Sequence, residues 1–193
     1  MKLVFATHNT HKIDEVRKLL PPHIQVLSLF DIGCDEEIPE TGVTLEENAK
    51  IKSDYVIKTY GYNCFADDSG LEIDVLNGEP GVYSARYAGD QKDNEANINK
   101  VWNKLEGETN SKAQFRTVIS AHINGREWKT EGVVRGEIVF EKRGLKGFGY
   151  DPIFIPEGYV STFAELGEDI KNKISHRAIA TEKFLKILSS LKI

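Results

Sequence analysis

The sequence predicts an α/β fold with one mixed sheet. The chain opens with a buried strand over residues 2–6, an amphipathic helix and a second strand over 25–29, an alternation typical of α/β proteins. Later, residues 113–123 alternate between the two faces of a strand and are followed by Asn124-Gly125. That dipeptide favours a type I′ hairpin turn, because both turn positions need a positive φ. The hairpin inserts an antiparallel ribbon and makes the sheet mixed.

The other elements follow from periodicity and from residues that begin or end helices. The first helix carries Ile13, Val16 and Leu19 on one side and stops at Pro21-Pro22. The remaining predictions are a helix from Thr44 that ends at Gly61, a short strand Cys64–Ala66, an extended segment 71–75, a helix 93–105, a return strand 127–140, a helix near 162–166 and a last helix 175–191.

Length and composition exclude several classes of protein. The 193 residues favour a single domain over 1–193, built as two lobes that share one sheet. The 25 basic and 30 acidic residues give a net charge of −5, which argues against a polybasic binder of nucleic acid polymers. No apolar run approaches the roughly 18–20 residues of a membrane span, and two cysteines without CxxC spacing indicate neither a disulfide framework nor a thiolate zinc site. We therefore expect a cytoplasmic protein with no membrane partner.

The loop Thr7-His8-Asn9-Thr10-His11-Lys12 joins a buried strand to a helix. Such a loop directs unpaired helix N–H groups and the positive end of the helix dipole at a crevice, so it suits an anion. Lys12, expected at the first helical position, adds a full charge. The alternative is that Asn9 and Thr10 only cap the helix.

The helix after Thr44 begins with the capping-box pattern Thr44-x-x-Glu47 and places a lysine among apolar side chains. On a helical wheel Leu45, Ala49 and Val56 share one face with Lys52, and Asn48 lies beside it. A lysine is rarely buried without a partner, so we interpret Lys52 as directed into a polar cleft. A snorkelling lysine that covers apolar surface is the alternative.

Asp67-Asp68-Ser69-Gly70 follows the predicted strand 64–66. Paired carboxylates at a strand end are suited to Mg²⁺, which prefers oxygen ligands, and one of them can act as a general base on a water. An ordinary Asp-Ser-Gly turn is the alternative.

Two further segments suit a nucleotide. In Gly147-Phe148-Gly149-Tyr150-Asp151-Pro152, the glycines allow close backbone approach, the rings offer flat faces to a base, and Asp151 can accept from ring N–H groups. A tight turn whose rings reach back to the core explains the same segment equally well. At the last helix, Ser175 fits an N-cap, and His176 and Arg177 oppose the helix dipole unless an anion binds there. The alternative is that these side chains form a solvated basic face. Lys171 precedes this segment and belongs to the same basic group.

Together these features suit a nucleoside polyphosphate with Mg²⁺. The P-loop and Rossmann patterns do not occur in the sequence.

Six motifs, in this order along the chain, resemble those of the inosine/xanthosine triphosphate pyrophosphatases, which remove non-standard purine nucleotides such as ITP, dITP and XTP. The resemblance covers nearly the whole chain. It rests on the segments Thr7–Lys12, Glu40-Thr41-Gly42 with Glu47-Asn48-Ala49-x-x-Lys52, Ala66–Leu71, Pro80–Arg86, Gly147–Pro152 and Ser175-His176-Arg177.

The resemblance implies a role for each matching residue. It implies Glu40 and Asp68 as Mg²⁺ ligands and Asp68 as the base that activates water. The residues implied to bind substrate are Thr7, His8, Asn9, Thr10, His11, Lys12 and Lys52 for the triphosphate, Ser69, then Phe148, Gly149, Tyr150 and Asp151 for the base, and Lys171, His176 and Arg177 for its six-position oxygen and the nucleotide. His8 departs from the family pattern, since many relatives carry glycine there. The resemblance further implies an elongated mixed sheet flanked by helices, a cleft between two lobes, and a homodimer.

The expected reaction is hydrolysis between the α and β phosphates, which gives a nucleoside monophosphate and pyrophosphate. Two alternatives stay open: a pyrophosphatase for modified pyrimidine nucleotides, of the septum-formation type, and a nucleotide sensor without turnover. The enzyme assignment requires that Lys12, Lys52, Asp68 and Arg177 converge on one pocket rather than lie on separate surfaces.

Overall fold

The computed structural model describes residues 1–191 and confirms a mixed α/β fold. The six strands run in the order β2-β1-β3-β4-β5-β6; β1 is parallel to β2 and β3, and β5 is antiparallel to β6. Along the chain the elements are β1 (Lys2–Phe5), α1 (Thr10–Leu19), β2 (Gln25–Leu27), α2 (Leu45–Tyr60), β3 (Cys64–Ile73), α3 (Asn94–Lys104), β4 (Lys112–Ile123), β5 (Arg126–Ile138), β6 (Phe154–Pro156), α4 (Phe163–Ile174) and α5 (His176–Ser190).

The contacts divide the chain into two compact units. The first comprises Met1–Asp68, Thr117–Gly132 and the chain from Arg177 onward; the second comprises Ser69–Arg116 and Val133–His176. The single two-lobed domain expected over residues 1–193 stays a prediction. Across the described residues, none of the helices combines the length and apolar character that a membrane crossing demands.

In the first unit the sheet has an apolar core on each face, because successive side chains of a strand point to opposite sides. On β1, Leu3 and Phe5 pack on the side of α1 and α5, together with Phe184. Val4 and Ala6 pack on the other side, together with Val56 of α2. Along β1, the alternation therefore divides the apolar side chains between the α1/α5 side and the α2 side.

The second unit has one core of its own. It joins residues of β3, α3 and β4 to the segment that leads into β6, and Leu71, Ile98, Phe115, Tyr150 and Phe154 are all buried in it. Phe115 contacts Phe154 edge to face, with ring centroids 4.7 Å apart.

Several predicted element boundaries are confirmed. Asn124 and Gly125 both have positive φ, 50° and 75°, as a type I′ turn requires. Gly61 ends α2 in the left-handed conformation. Thr44 caps α2 by accepting from the amide of Glu47, but the Glu47 carboxylate accepts from the amide of Val43 at 2.7 Å rather than closing the capping box.

Other predicted boundaries are wrong, for local reasons. The strand predicted to stop at Ala66 continues to Ile73 as one element, so Asp67 and Asp68 lie inside β3 and not at its end. The helix predicted near 162–166 matches the first part of α4, because Gly167, with φ 75° and ψ 176°, breaks the helix; the helical stretch that follows the kink and runs to Ile174 was not predicted. The three-residue strand β6 was not predicted, and it is too short for an alternation to be recognised.

Candidate active site: an ion cluster on β3 and a second cluster around Asp151

Asp67 and Asp68 are neighbours on β3 whose side chains point to opposite faces of the sheet. The parallel partner β1 ends at Phe5, opposite Phe65, so both aspartates lie just past the end of that pairing. Asp67 has the parity of Phe65 and belongs to the α1/α5 face, whereas Asp68 has the parity of Ala66 and belongs to the α2 face. The strand period therefore gives the two carboxylates different partners.

Asp67 is a buried anion held by two cations. Lys12 of α1 donates to its Oδ1 at 2.9 Å, and the Nε of Arg177, at the start of α5, donates to its Oδ2 at 3.1 Å. The other end of the Arg177 guanidinium donates to Glu15 of α1. All of Asp67 and Arg177 is withdrawn from solvent. Replacing one member of such a set leaves an uncompensated buried charge.

These contacts shift the pKa values of Asp67 and Lys12. Burial alone would raise the pKa of Asp67, but Lys12, Arg177 and Lys52 outweigh it and hold that pKa well below its ordinary value. Burial lowers the pKa of Lys12, and the nearby charges of Lys52 and Arg177 lower it further against the attraction of Asp67. Lys12, Lys52 and Arg177 therefore act on one another and on Asp67 within one cluster.

Asp68 faces α2, where Asn48 and Lys52 contact it. Asn48 donates to Oδ2 at 3.1 Å, and the ammonium of Lys52 lies 3.9 Å from Oδ1. The same ammonium donates to Glu40 at 2.6 Å. The oxygen of Asn48 accepts from the amide of Gly42 at 2.8 Å, which ties the Glu40-Thr41-Gly42 segment to α2. A side chain at Gly42 would meet Asn48 and Glu47 within 2.7 Å, so only glycine fits there.

The pKa of Asp68 shifts in the opposite direction to that of Asp67. Burial raises it, and the lowering by Lys52 and Lys12 does not cancel this effect. Burial would lower the pKa of Lys52, but Asp68 and Glu40 outweigh it, so that pKa is raised and the side chain keeps its charge. Asp68 is thus the carboxylate of the pair with the higher proton affinity, which is what a general base requires.

The loop before α1 caps the helix. Asn9 is the N-cap and accepts from the amide of Lys12, which is the third helical residue rather than the first. Thr7 accepts from the amide of Asn9 at 3.1 Å, and Thr10 and His11 are exposed. The ring of His8 bonds the carbonyl of Cys34 at 3.0 Å and contacts Phe30 edge to face.

The residues expected to hold Mg²⁺ fit that ion. Glu40 and Asp68 offer carboxylate oxygens, the ligands that Mg²⁺ prefers, and the Lys52 ammonium already shows that a cation is stabilised between them. Within residues 1–191, a closer group of three metal-binding side chains forms elsewhere, at Asp54, His122 and Glu127. There Lys50 donates to both Asp54 and Glu127.

In the second unit, Asp151 organises another buried cluster. Its Oδ2 accepts from the amide of Phe148 at 2.8 Å and from the ammonium of Lys171 at 2.7 Å. That ammonium also lies 4.5 Å from the centre of the Phe148 ring, in a cation–π contact. Gly147 has φ 81°, and a Cβ there would lie 2.2 Å from Asp151. The glycine-rich sequence therefore allows the loop to close around this carboxylate.

The other residues of the second unit that the sequence predicts to bind substrate make different contacts from those of Asp151. Tyr150 is buried in the core and its hydroxyl donates to the carbonyl of Ser84 at 2.8 Å. His176 is buried and stacks on Phe115, with ring centroids 4.7 Å apart. Ser69 is half-buried on β3, and Gly149 adopts φ 62°.

Sequence reasoning missed Glu15 and gave Asn48 no role. Both could have been found from helical spacing, since residues three and four apart share a face. Glu15 follows Lys12 by three residues and bonds Arg177; Asn48 precedes Lys52 by four and bonds Asp68. Lys12, Lys52, Asp68 and Arg177 lie together in the first unit, and the expectation that they share one pocket stays a prediction.

Chemically, the first cluster combines a proton acceptor with cations that can neutralise a polyanion. The second combines an aromatic face with a buried ion pair, which suits a flat polar ring. The Ham1 family profile matches residues 3–187.

Relatives and solved structures agree with that match. The chain is 55% identical over 189 residues to the dITP/XTP pyrophosphatase of Christiangramia forsetii, which covers 98% of this chain and 100% of that protein. It is 52% identical over 191 residues to the dITP/XTP pyrophosphatase of Bacillus subtilis, covering 97% and 96%. The structure of the Staphylococcus aureus Ham1 protein superimposes with a TM-score of 0.91 at 42% identity, covering all of both chains. The chain belongs to the Ham1 family.

Proposed function

We propose that this protein is a hydrolase that converts non-standard purine nucleoside triphosphates, such as dITP, ITP and XTP, to the nucleoside monophosphate and pyrophosphate. The observation that carries the proposal is the cluster around Asp67 and Asp68, in which the cations Lys12, Lys52 and Arg177 lie within ion-pair distance of two buried carboxylates. The dITP/XTP pyrophosphatases at up to 55% identity over nearly the whole chain support it.

The roles we propose divide between the two clusters. Lys12, Lys52 and the N-terminal turn of α1, with Thr7 to His11, bind the triphosphate, because cations and the positive end of a helix dipole favour an anion. Asp68 accepts the proton of the attacking water. Phosphoryl chemistry depends mainly on positioning and charge neutralisation, which fits a site built of fixed ions.

We propose Mg²⁺ as the cofactor and Glu40 and Asp68 as the residues that hold it. When bound, the ion supplies charge neutralisation on the phosphate oxygens. Asn48 orients Asp68 through its hydrogen bond at 3.1 Å, and Lys52 balances the charge of both carboxylates.

We propose that Phe148, Gly149, Tyr150 and Asp151, with Lys171, form the base-recognition part, and that Ser69 contacts the nucleotide. His176 and Arg177 would donate to the six-position oxygen of the base. Adenine has an amino group there, so it would leave these donors unpaired, at a cost of about 1–3 kcal/mol each. The ring of His8 is held by the carbonyl of Cys34. We therefore propose that His8 contacts the substrate as part of its loop.

A panel of nucleoside triphosphates with Mg²⁺, scored for pyrophosphate release, tests the proposal. We expect release from ITP, dITP and XTP, much less from ATP, and none after addition of a chelator. Release confined to modified pyrimidine nucleotides would favour the pyrimidine alternative, and binding without release would favour a sensor. Light scattering and cell fractionation test the homodimer and the cytoplasmic location that we also propose.

A further inference from the structure

The segment Pro80–Arg86 carries one of the six sequence motifs but no role so far. In the second unit it forms a 3₁₀ turn, Gly81–Arg86, with Ser84 buried. Asn97 of α3 fixes this turn from behind: its side chain accepts from the amide of Ala88 at 2.7 Å and donates to the carbonyl of Ala85 at 3.0 Å. The turn is therefore anchored to a helix and can serve as a support for other segments.

Ser84 makes hydrogen bonds to two segments besides its own. Its hydroxyl oxygen accepts from the amide of Leu71 on β3 at 2.9 Å and its hydroxyl donates to the carbonyl of Gly81 at 2.6 Å. Its carbonyl accepts from the hydroxyl of Tyr150 at 2.8 Å. Ser84 thus joins the part of β3 that follows Asp68-Ser69 to the segment that contains Asp151.

The backbones of β3 and the turn touch at glycine distance. A Cβ placed on Gly70 would lie 2.5 Å from the carbonyl oxygen of Gly81. Because a side chain at position 70 would push the turn away, the bond from Leu71 to Ser84 depends on this glycine. The motif residues Gly70, Gly81 and Ser84 therefore form one fitted contact.

Tyr150 is built as a support and not as an exposed face. Its side chain is 4% exposed and packs in the core of the second unit with Leu71 and Ile153. Its neighbour Asp151 holds the amide of Phe148 and the ammonium of Lys171. A shift of Tyr150 would consequently move the whole Phe148–Asp151 arrangement.

We propose that Ser84 and Tyr150 are positioning residues for base recognition: the hydrogen bond between them fixes the Phe148–Asp151 segment, and the ring of Tyr150 does not stack on the base. This inference rests on the proposed function, of which it names the support for the base-reading segment. It predicts that the hydroxyl of Tyr150 affects nucleotide affinity and base preference more than turnover.

Two variants test the proposal with matched controls. Tyr150→Phe removes only the hydroxyl and keeps the buried ring, and Ser84→Ala removes the acceptor for Leu71. Tyr159→Phe and Ser189→Ala make the same chemical changes at exposed positions. The measurements are kcat and KM for ITP and ATP, the affinity for IMP by calorimetry, and the midpoint of thermal unfolding.

For Tyr150→Phe we expect KM for ITP and the Kd for IMP to rise about three- to tenfold, the range that loss of one buried hydrogen bond predicts, with kcat within twofold. The ratio of kcat/KM for ITP over ATP should fall, and the controls should match the native protein. A lower unfolding midpoint with unchanged KM and unchanged ratio would overturn the inference, because the bond would then serve the fold alone. A fall in kcat at constant KM would also overturn it.

The native protein separates this inference from the proposed function. If it binds IMP but releases no pyrophosphate, the proposed function fails, and the Kd for IMP of Tyr150→Phe still decides the inference. If it binds no inosine nucleotide at all, both are wrong.

Discussion

Helix α2 carries two ion clusters on different faces, and they differ in burial rather than in residue types. On one face, Asn48 and Lys52 join Glu40 and Asp68, and the Lys52 side chain is 8% exposed. On another, Lys50 and Lys58 bond Asp54, with Lys50 and Lys58 49% and 73% exposed. Asp54 also contacts His122, and Lys50 contacts Glu127. We call these five residues the surface cluster.

The difference shows why only one cluster is suited to chemistry. In the surface cluster burial would raise the pKa of Asp54, but hydrogen bonds from Lys50, His122 and Lys58 lower it to about 2, so the carboxylate is a weak proton acceptor. Around Asp68 burial prevails and the pKa is raised. Similar side chains therefore give a carboxylate of lowered pKa at the surface and one of raised pKa inside.

The largest expected effect is on turnover in Asp68→Asn. Loss of a general base lowers kcat by about a hundred- to ten-thousand-fold, while nucleotide binding should survive, because Lys12 and Lys52 remain. Pyrophosphate release and nucleotide titration measure the two properties. Asp54→Asn is the matched control from the surface cluster and should keep its turnover. Native turnover in Asp68→Asn would remove Asp68 from the mechanism.

Arg177→Ala should cause the largest loss of stability. The change removes the guanidinium that bonds Glu15, and Asp67 keeps only its bond to Lys12 from the pair of cations that hold it. We expect this to cost about 3–5 kcal/mol in the free energy of unfolding. Urea unfolding measures this cost. Arg17→Ala is the control, since its pair with Asp31 is 47% exposed on both sides and should cost about 1 kcal/mol or less.

In the folded fraction of Arg177→Ala we also expect a weaker preference for ITP over ATP. Equal costs in the two arginine variants would show that burial does not distinguish these ion pairs. An unaltered ITP-to-ATP ratio would show that the base is recognised by other residues.

Lys52→Gln should change binding in two opposite directions. The KM for the triphosphate should rise about tenfold or more, the size of a lost charged hydrogen bond. Mn²⁺ used as a probe should bind the nucleotide-free protein more tightly, because the ammonium no longer neutralises Glu40 and Asp68. Calorimetry with Mn²⁺ measures this, and Lys50→Gln is the control on the same helix. Unchanged Mn²⁺ affinity would mean that the ammonium does not compete with the ion.

The smallest effect is expected for the stability of Asp54→Asn. The native pKa of about 2 lies below the ordinary value near 3.8, so Asp54 stabilises the fold above pH 4, and this stability is lost as the pH falls toward 2. We expect a deficit of about 1 kcal/mol at pH 7, as for other surface ion pairs, that shrinks below pH 4. Urea unfolding of the native protein and the variant at pH 7 and again below pH 4 measures this deficit. A deficit independent of pH would assign the effect to packing.

Much of the fold could be predicted because it follows from local rules. Alternation placed β4, the Asn124-Gly125 turn fixed the hairpin, and Gly61 ended α2. The inward direction of Lys52 was also predictable, since its face is defined by Leu45, Ala49 and Val56. Boundaries failed where polar residues continue a regular element, as at Asp67 and Asp68 in β3.

The sequence by itself determined the fold class, the helix and turn boundaries that depend on neighbours in the chain, and the set of charged residues available. Tertiary structure alone decided which ion each carboxylate meets. Asp67 and Asp68 are adjacent in sequence, yet one contacts α1 and α5 and the other α2, because successive strand residues face opposite sides of the sheet. Burial raises the pKa of both carboxylates, but the cations around Asp67 lower its pKa, whereas those near Asp68 do not cancel the effect of burial. The two cations that contact Asp67 come from positions 55 and 110 residues away in the sequence.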